Sequence, residues 1–414
     1  MLVDEFVTPE NPVLAVAEDL LGPFLEGLGL GEPILFDVLR LLEECLNRMR
    51  EAERRGFRAT FVRPDLLWPG DSPAKHILAQ RNDAGYMQLV RVDVRTFDWI
   101  EAAVAAVSPG WVAHRNDPAR GFNLDARHCI AAALAWMGST CIQSWLQQAF
   151  GNTRSPMSRD LSEGLHHVLA ALRVAPEAAI RWPSPDDMEW FFELICQARD
   201  GKPPIQNCRV FGWIDGIRSR IQQPGLVAEQ REFYNRWVRD TSVVSLFAFS
   251  PLGTIIYASL NHPGRTNDAA IAASVFFKLL DPDSTPADMG LLGDSAFCSP
   301  RLLFKMWTRT RPSNWPDGHS TNAQWRAFVK WLTASRQAVE WGMRALRSRW
   351  ARLNVPMPAD SEQRRMILEL AARLHNVVAR LMGANQIRSV YLEAALRHAE
   401  GFDAFDIAED FGDD

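Results

Sequence analysis

The chain has 414 residues, 47% of them hydrophobic and 23% charged, with 25 Gly and 25 Pro. That is globular composition, which excludes collagen-like, low-complexity and wholly disordered chains, and the length corresponds to roughly two to three domain units. The net charge of −5 taken alone speaks against a nucleic-acid binder, and no apolar run approaches the roughly 18 residues that span a bilayer, so no membrane partner is expected.

The opening Met1-Leu2-Val3-Asp4-Glu5 places no basic region before an apolar stretch, so a secretory leader is not expected and an intracellular protein is. Residues 1–60 read as helical, with Leu35, Val38, Leu39, Leu42, Cys45 and Leu46 at helical spacing. Residues 61–125 are punctuated by Pro and Asp, with a short strand expected at Met87–Val92 and a helix near 97–107.

Helices are expected at Ala126–Met137, Cys141–Phe150 and about Ser155–Leu172, the last two joined by Gly151-Asn152-Thr153-Arg154. Short helix, glycine turn and a helix with polar first turns make a helix-turn-helix-like pattern, with Arg154, Ser155 and Arg159 as candidate DNA contacts. A helical hairpin that only packs shows the same spacing. A Pro-containing connection and one helix, Met188–Ala198, lead to residue 204.

The pattern changes at about 205. "CRVFGWID", "SVVSLFAFSP" and "TIIYASL" read as three strands rich in β-branched and aromatic residues, the last two joined by a tight turn at Leu252-Gly253. A helix at about 267–280 and the short strand "MGLLGD" follow. Residues 298–333 read as irregular and basic, and helices are expected from near Ser335 to about Leu353 and over about 361–383. Three strands, helix, strand, helix is the order of an RNase H-like α/β core. The organisation expected is a helical N-terminal region (1–125), a helical region with the helix-turn-helix-like segment (126–204), an RNase H-like domain (205–391) and an acidic tail (392–414).

Charge is unevenly spread. Residues 301–390 hold sixteen Lys/Arg against five Asp/Glu, whereas residues 392–414 hold eight acids and one Arg. That asymmetry suits a phosphate-binding surface followed by a solvated tail, although solvated helix faces produce it too. Six cysteines with no Cys-x-x-Cys are poor zinc-ligand spacing and are expected to be reduced and mostly buried.

Four acids stand out: Asp215 is expected to end the first strand in Trp213-Ile214-Asp215-Gly216, Asp268 to follow the third strand at a helix N-terminus, Asp294 to end the next strand in Leu292-Gly293-Asp294, and Glu340 to lie inside a helix. Acids converging at one sheet edge repel one another, and Mg²⁺ or Mn²⁺ relieves that repulsion through oxygen ligands. Two ions about 4 Å apart can drive in-line attack on a phosphodiester. Each acid alone has a plain structural reading, since Asp-Gly and Gly-Asp are common turn dipeptides.

From about 208 to 391 the chain resembles the PIF/Harbinger transposases and the nucleases derived from them, a DDE-type group. The resemblance rests on six ordered matches: Val210 through Asp215-Gly216, Tyr234-Asn235-Arg236, Pro263-Gly264 through Asp268, Leu292-Gly293-Asp294-Ser295-Ala296-Phe297, Arg336 with Glu340, and Leu374-His375-Asn376. It implies metal ligation by Asp215, Asp268, Asp294 and Glu340, with Asp215, Asp294 and Glu340 catalytic in DNA strand cleavage and, in a complete transposase, strand transfer. It also implies DNA as partner, a Myb-like accessory protein and a nuclear location; a homo-oligomer stays open. Ile217-Arg218 after Asp-Gly departs from the family pattern, and the 46 residues from Asp294 to Glu340 point to an inserted loop.

Arg336, Glu340, Arg344 and Arg347 are spaced four, four and three apart and share one helix face. Arginines flanking an acid suit phosphate contact, so Arg336, Arg344 and Arg347 are also candidate DNA contacts. A rival reading is a domesticated, catalytically silent DNA-binding or scaffold protein. An unrelated α/β enzyme would need a cofactor fingerprint, and the sequence carries no Gly-rich phosphate loop or dinucleotide motif.

Overall fold

The computed structural model describes residues 72–398 except 200, 206, 237, 238, 303, 317 and 319. The expected helices of residues 1–60 and the tail beyond 398 lie outside these residues. The chain divides into two units, Met1–Leu66 and Leu67–Asp414, and the elements below belong to the second.

Short helices come first: α1 (Pro73–Gln80), α2 (Asp83–Leu89), α3 (Val94–Val107) and α4 (Pro109–Asn116). The strand expected at Met87–Val92 does not form. The Asn82 side chain accepts from the Ala84 and Gly85 N–H groups and starts α2, and Tyr86, Leu89, Val90 and Val92 are buried in a helical layer. Packing there overrides the β-propensity of the two valines. Then follow α5 (Ala126–Met137), α6 (Gln143–Phe150), α7 (Arg154–Val174) and α8 (Pro185–Ala198), close to the spans expected. Asp125 caps α5 by accepting from the His128 N–H, and Ser184 with Asp187 closes a capping box on α8.

The sheet contains β1 (Arg209–Arg220), β2 (Tyr234–Asn235), β3 (Asp240–Phe249), β4 (Ile255–Pro263), β5 (Met289–Leu292) and β6 (Met306–Trp307), with α9 (Val227–Phe233) before β2 and α10 (Asp268–Ile271) and α11 (Ala273–Leu280) between β4 and β5. Its order is β2-β3-β1-β5-β6, with β4 also paired to β3. Strands β1, β3 and β4 run as an antiparallel meander, and β5 and β6 are parallel to their neighbours. A parallel return needs a crossover, which α10 and α11 supply. The protein is thus α/β, with the RNase H-like strand order expected.

Each sheet face buries its own cluster. Trp213, Ile217, Val243, Phe247, Phe249, Leu292 and Trp307 join one core with the N-terminal helices, while Phe211, Ile214, Val244, Leu246, Leu291 and Met306 pack against α8 and α11. Phe211 and Trp213 are two apart yet face opposite ways, because the β1–β5 register shifts between Val210 and Gly212. A bulge adds a residue and inverts the alternation beyond it. Gly212 is needed there: a Cβ would stand 2.5 Å from the Phe249 carbonyl oxygen.

The helix expected near Ser335 begins earlier, as α12 (Asn322–Arg349), where Thr321 and Gln324 form a capping box. The irregular basic stretch therefore ends at residue 321. It carries an aromatic cluster, with Trp315 centred 6.0 Å from Trp307 and 5.0 Å from Trp325, and Arg311 lying over both Trp315 and Trp325. Two further helices, α13 (Ser361–Val377) and α14 (Gln386–His398), follow, separated by a π turn at Val378–Met382. Helix α14 continues past residue 391, where the acidic tail is expected to begin.

Helix α13 joins the sheet to the N-terminal helices. Asn376 Oδ1 accepts from the Ile255 N–H at 2.7 Å, while its Nδ2 donates to the Ile255 and Ala179 carbonyls. One side-chain amide thereby satisfies both backbone groups of a β4 residue. His375 makes a 2.9 Å hydrogen bond to the Gly253 carbonyl, and full burial pushes its imidazole down to about 4, so it is neutral. Leu374-His375-Asn376 is a structural clamp on the β3–β4 turn.

Candidate active site

Trp213 of β1 is paired with Leu292 of β5. Asp215 and Asp294 each follow two residues later. The sheet alternation puts Asp215 on the face of Trp213, the face that α12 covers through Phe328, Leu332, Ala338 and Val339. Asp215 does not end β1 as expected: the strand continues to Arg220, paired with Ser242 of β3. What ends near Asp215 is the parallel pairing with β5, so the acid stands at the mouth of that strand pair.

Both carboxylates are oriented by backbone amides. Asp215 Oδ1 accepts from the Gly216 N–H at 2.8 Å. Asp294 Oδ1 accepts from the Ala296 N–H and caps a 3-10 turn over Ser295–Phe297. Burial pushes the Asp215 carboxyl above its usual range, and the nearby Asp294 charge adds to that; the Gly216 N–H and Arg336 oppose it.

Helix α12 supplies the opposing charge. Arg336 Nη2 lies 3.2 Å from Asp215 Oδ2, with the side chains 16% and 24% exposed. Glu340, one turn on, is exposed, as is Arg344. Arg347 is half-buried and donates to the Arg218 carbonyl of β1, and its burial lowers the guanidinium pKa. Gly342 lets the helix approach: a Cβ there would meet the Phe249 ring at 2.8 Å. Of the three arginines with expected phosphate roles, Arg336 is occupied by Asp215, Arg347 is tied to β1, and Arg344 faces solvent. The Arg336–Asp215 pair is not readable from sequence, because 121 positions separate the partners.

Asp268 opens α10; its side chain lies outside the described residues. Among the described residues no three His, Cys, Asp or Glu side chains form a group able to hold a metal ion. The chemistry of the pair still fits a hard divalent cation. Both donors are carboxylate oxygens, the Asp294 charge adds to the cost of ionising Asp215, and Asp215 is partly buried.

The helix-turn-helix-like segment has a locked turn. Gly151 adopts φ +62° between α6 and α7, and Asn152 donates to buried Asp160 at 2.8 Å. Buried Arg115 of α4 bonds Asp160 and Glu163 at 2.8 and 2.6 Å, fixing α7 to α4. Arg154, Ser155 and Arg159 are exposed on its first turns, with the Arg159 guanidinium 5.7 Å from the Phe122 ring centre.

The cysteines described are free. Cys129, Cys196 and Cys208 are buried, Cys298 is half-buried and Cys141 is exposed. Burial raises the Cys196 thiol to about 11, which leaves it protonated and unreactive at neutral pH. No helix among the described residues is long and apolar enough to cross a membrane.

Residues 214–376 match the model of a family described as DDE superfamily endonuclease. The match opens one residue before Asp215, includes Asp268, Asp294 and Glu340, and closes on Asn376. Comparison with curated proteins and with solved structures gave no match.

Proposed function

We propose that the chain is a divalent-metal-dependent DNA nuclease or transposase of DDE type, with Asp215, Asp294 and Glu340 catalytic and Asp268 completing the metal ligands. One observation carries the reading: Asp215 and Asp294 stand two residues past the Trp213–Leu292 parallel pair, within electrostatic reach of each other. The match to the endonuclease family supports the same assignment.

Bound Mg²⁺ or Mn²⁺ would supply an activated water or 3′-OH and stabilise the oxygen leaving phosphorus. The chain's own groups do the rest. The Gly216 and Ala296 amides hold one oxygen of each aspartate, and Asp215 Oδ2, which meets Arg336, would exchange that contact for a cation. Arg336 keeps Asp215 compensated before the cation arrives. Arg344, exposed one turn from Glu340, would take a phosphate oxygen. In hydrolysis a water oxygen bonds to phosphorus, the P–O3′ bond breaks, and a proton passes to the departing oxygen. Arg154, Ser155 and Arg159 on α7 would add contacts outside the cleavage site.

Tyr234-Asn235-Arg236, Pro263-Gly264 and Leu374-His375-Asn376 favour the Harbinger-type branch, and with it a nuclear location and a Myb-like accessory protein. Titration calorimetry with Mn²⁺ tests the metal site: the wild type binds and Asp215→Asn does not. Equal binding by both removes Asp215 from the site.

The second reading, a silent DNA-binding scaffold, draws on the Arg336–Asp215 ion pair, which compensates Asp215 without a metal. It requires DNA binding with no Mn²⁺ heat in wild type, with or without DNA.

A further inference from the structure

The Tyr-Asn-Arg and Pro-Gly segments have no role in holding the acids, yet the fold ties them together. Asn235 Nδ2, buried, donates to the Gly264 carbonyl. Gly264 has no room for a side chain, since a Cβ would stand 2.4 Å from the Ser242 carbonyl and 2.8 Å from that of Phe233. This junction forms the wall of a cleft of about 940 Å³, lined by Arg231, Tyr234, Arg236, Arg239, Asp240 and Arg265 among others.

The four arginines are exposed, and none forms an ion pair among the described residues. The lining acid, Asp240, is already taken by Arg220. Among the described residues the cleft thus presents guanidinium groups with no ion pair from three segments: α9, the β2–β3 turn and the β4–α10 turn. Arginines on one rim are ordinarily paired or dispersed. Four without an ion pair among the described residues, converging on one concavity, are matched by a ligand with several anionic oxygens.

Position identifies which polyanion. Asp240, at the cleft, meets Arg220 at the end of β1, five residues from Asp215. At about 3.3 Å per residue this is roughly 17 Å along the strand, the rise of about five base pairs. Arg265 lies three residues before Asp268 in the same turn. We propose that this cleft is a cradle for the sugar–phosphate backbone of duplex DNA flanking the scissile bond, with Arg236, Arg239 and Arg265 as phosphate contacts. The inference rests on the nuclease reading above and assigns residues that the catalytic set does not use. Guanidinium–phosphate contacts fix the register of the duplex and carry no base information.

The test is fluorescence anisotropy with a labelled 30-base-pair duplex in EDTA, over a range of salt, for wild type and Arg236→Gln/Arg239→Gln. Both positions are exposed, and unchanged Mn²⁺ calorimetry of the variant checks the acid site separately. Removing one guanidinium–phosphate pair lowers the slope of log K against log [salt] by about 0.9. The variant should therefore lose about two units of slope and bind at least ~10-fold more weakly near physiological salt. An Arg265→Gln variant should lose about one unit of slope. Wild-type affinity and slope in both variants would overturn the cradle and leave the nuclease reading standing. Absence of salt-dependent DNA binding in the wild type would overturn both.

Discussion

Arg336 Nη2 stands 3.2 Å from Asp215 Oδ2, joining the middle of α12 to the acid at the mouth of β1 and β5. The pair is largely buried, with Arg336 Nε lacking a partner within the described residues. It is therefore a compensating contact more than a tight bidentate fork, and a cation or a phosphate can compete with it.

Arg336→Met should destabilise the protein by about 1–3 kcal/mol at neutral pH, because Asp215 is left partly buried and uncompensated. Burial already raises the Asp215 carboxyl, and losing the guanidinium raises it further. A folded value above the unfolded one contributes stability in acid that is lost as pH rises through the folded value. The penalty of the variant should thus shrink in acid, measured as urea midpoints against pH. A penalty independent of pH would mean that Arg336 contributes packing alone.

Asn376→Ala should cost about 2–4 kcal/mol, since it strands the Ile255 N–H and removes donors to two carbonyls in the interior. Asn376→Asp should do no better, because the acceptor is kept while both donors are replaced by a buried charge. Chemical denaturation of the two variants checks this, and near-wild-type stability of Asn376→Asp would contradict the two-way pairing.

His375 makes stability fall in acid. Its folded pKa, about 4, lies below the ordinary 6.5, so the unfolded chain takes up the proton first. The resulting loss begins as pH drops through about 6.5 and is complete near pH 4, with an upper bound of about 3 kcal/mol. A His375→Gln variant, less stable at pH 7, should show a flatter profile across that window than wild type. Parallel profiles would contradict the burial of a neutral imidazole.

Gly342→Ala should lift α12 from β3, since the Phe249 ring is itself buried and in the way. Overpacking of this kind costs about 1–3 kcal/mol. Because Arg336 and Glu340 ride on the same helix, DNA cleavage should fall further than stability alone explains, measured at a temperature where the variant remains folded.

The strand order is legible in the sequence because β1, β3 and β4 are dense in β-branched and aromatic residues, and because Asp294 follows the short buried strand β5. Three features are hidden. The facing of Asp215 depends on the bulge at Gly212, which inverts the alternation between Phe211 and Trp213. The first turns of α12 lie in a Pro- and charge-rich stretch, although Thr321 and Gln324 carry the capping-box signature. Met87–Val92 misleads because Val90 and Val92 are buried at the end of a short helix. Pairings across long separations, such as Arg336 with Asp215 or Asn376 with Ile255, have no local sequence signal. The arginines at 231, 236, 239 and 265 converge only once β2 and the β4–α10 turn are joined by Asn235.

The most direct test of the central claim is nicking of supercoiled plasmid in Mn²⁺ by wild type and Asp294→Ala. Asp294 lies at the surface end of β5, so the variant should keep its fold by circular dichroism. Wild-type nicking with a loss of at least ~100-fold in the variant is the result expected of a cleavage site built on these carboxylates. Undiminished nicking by Asp294→Ala would contradict it.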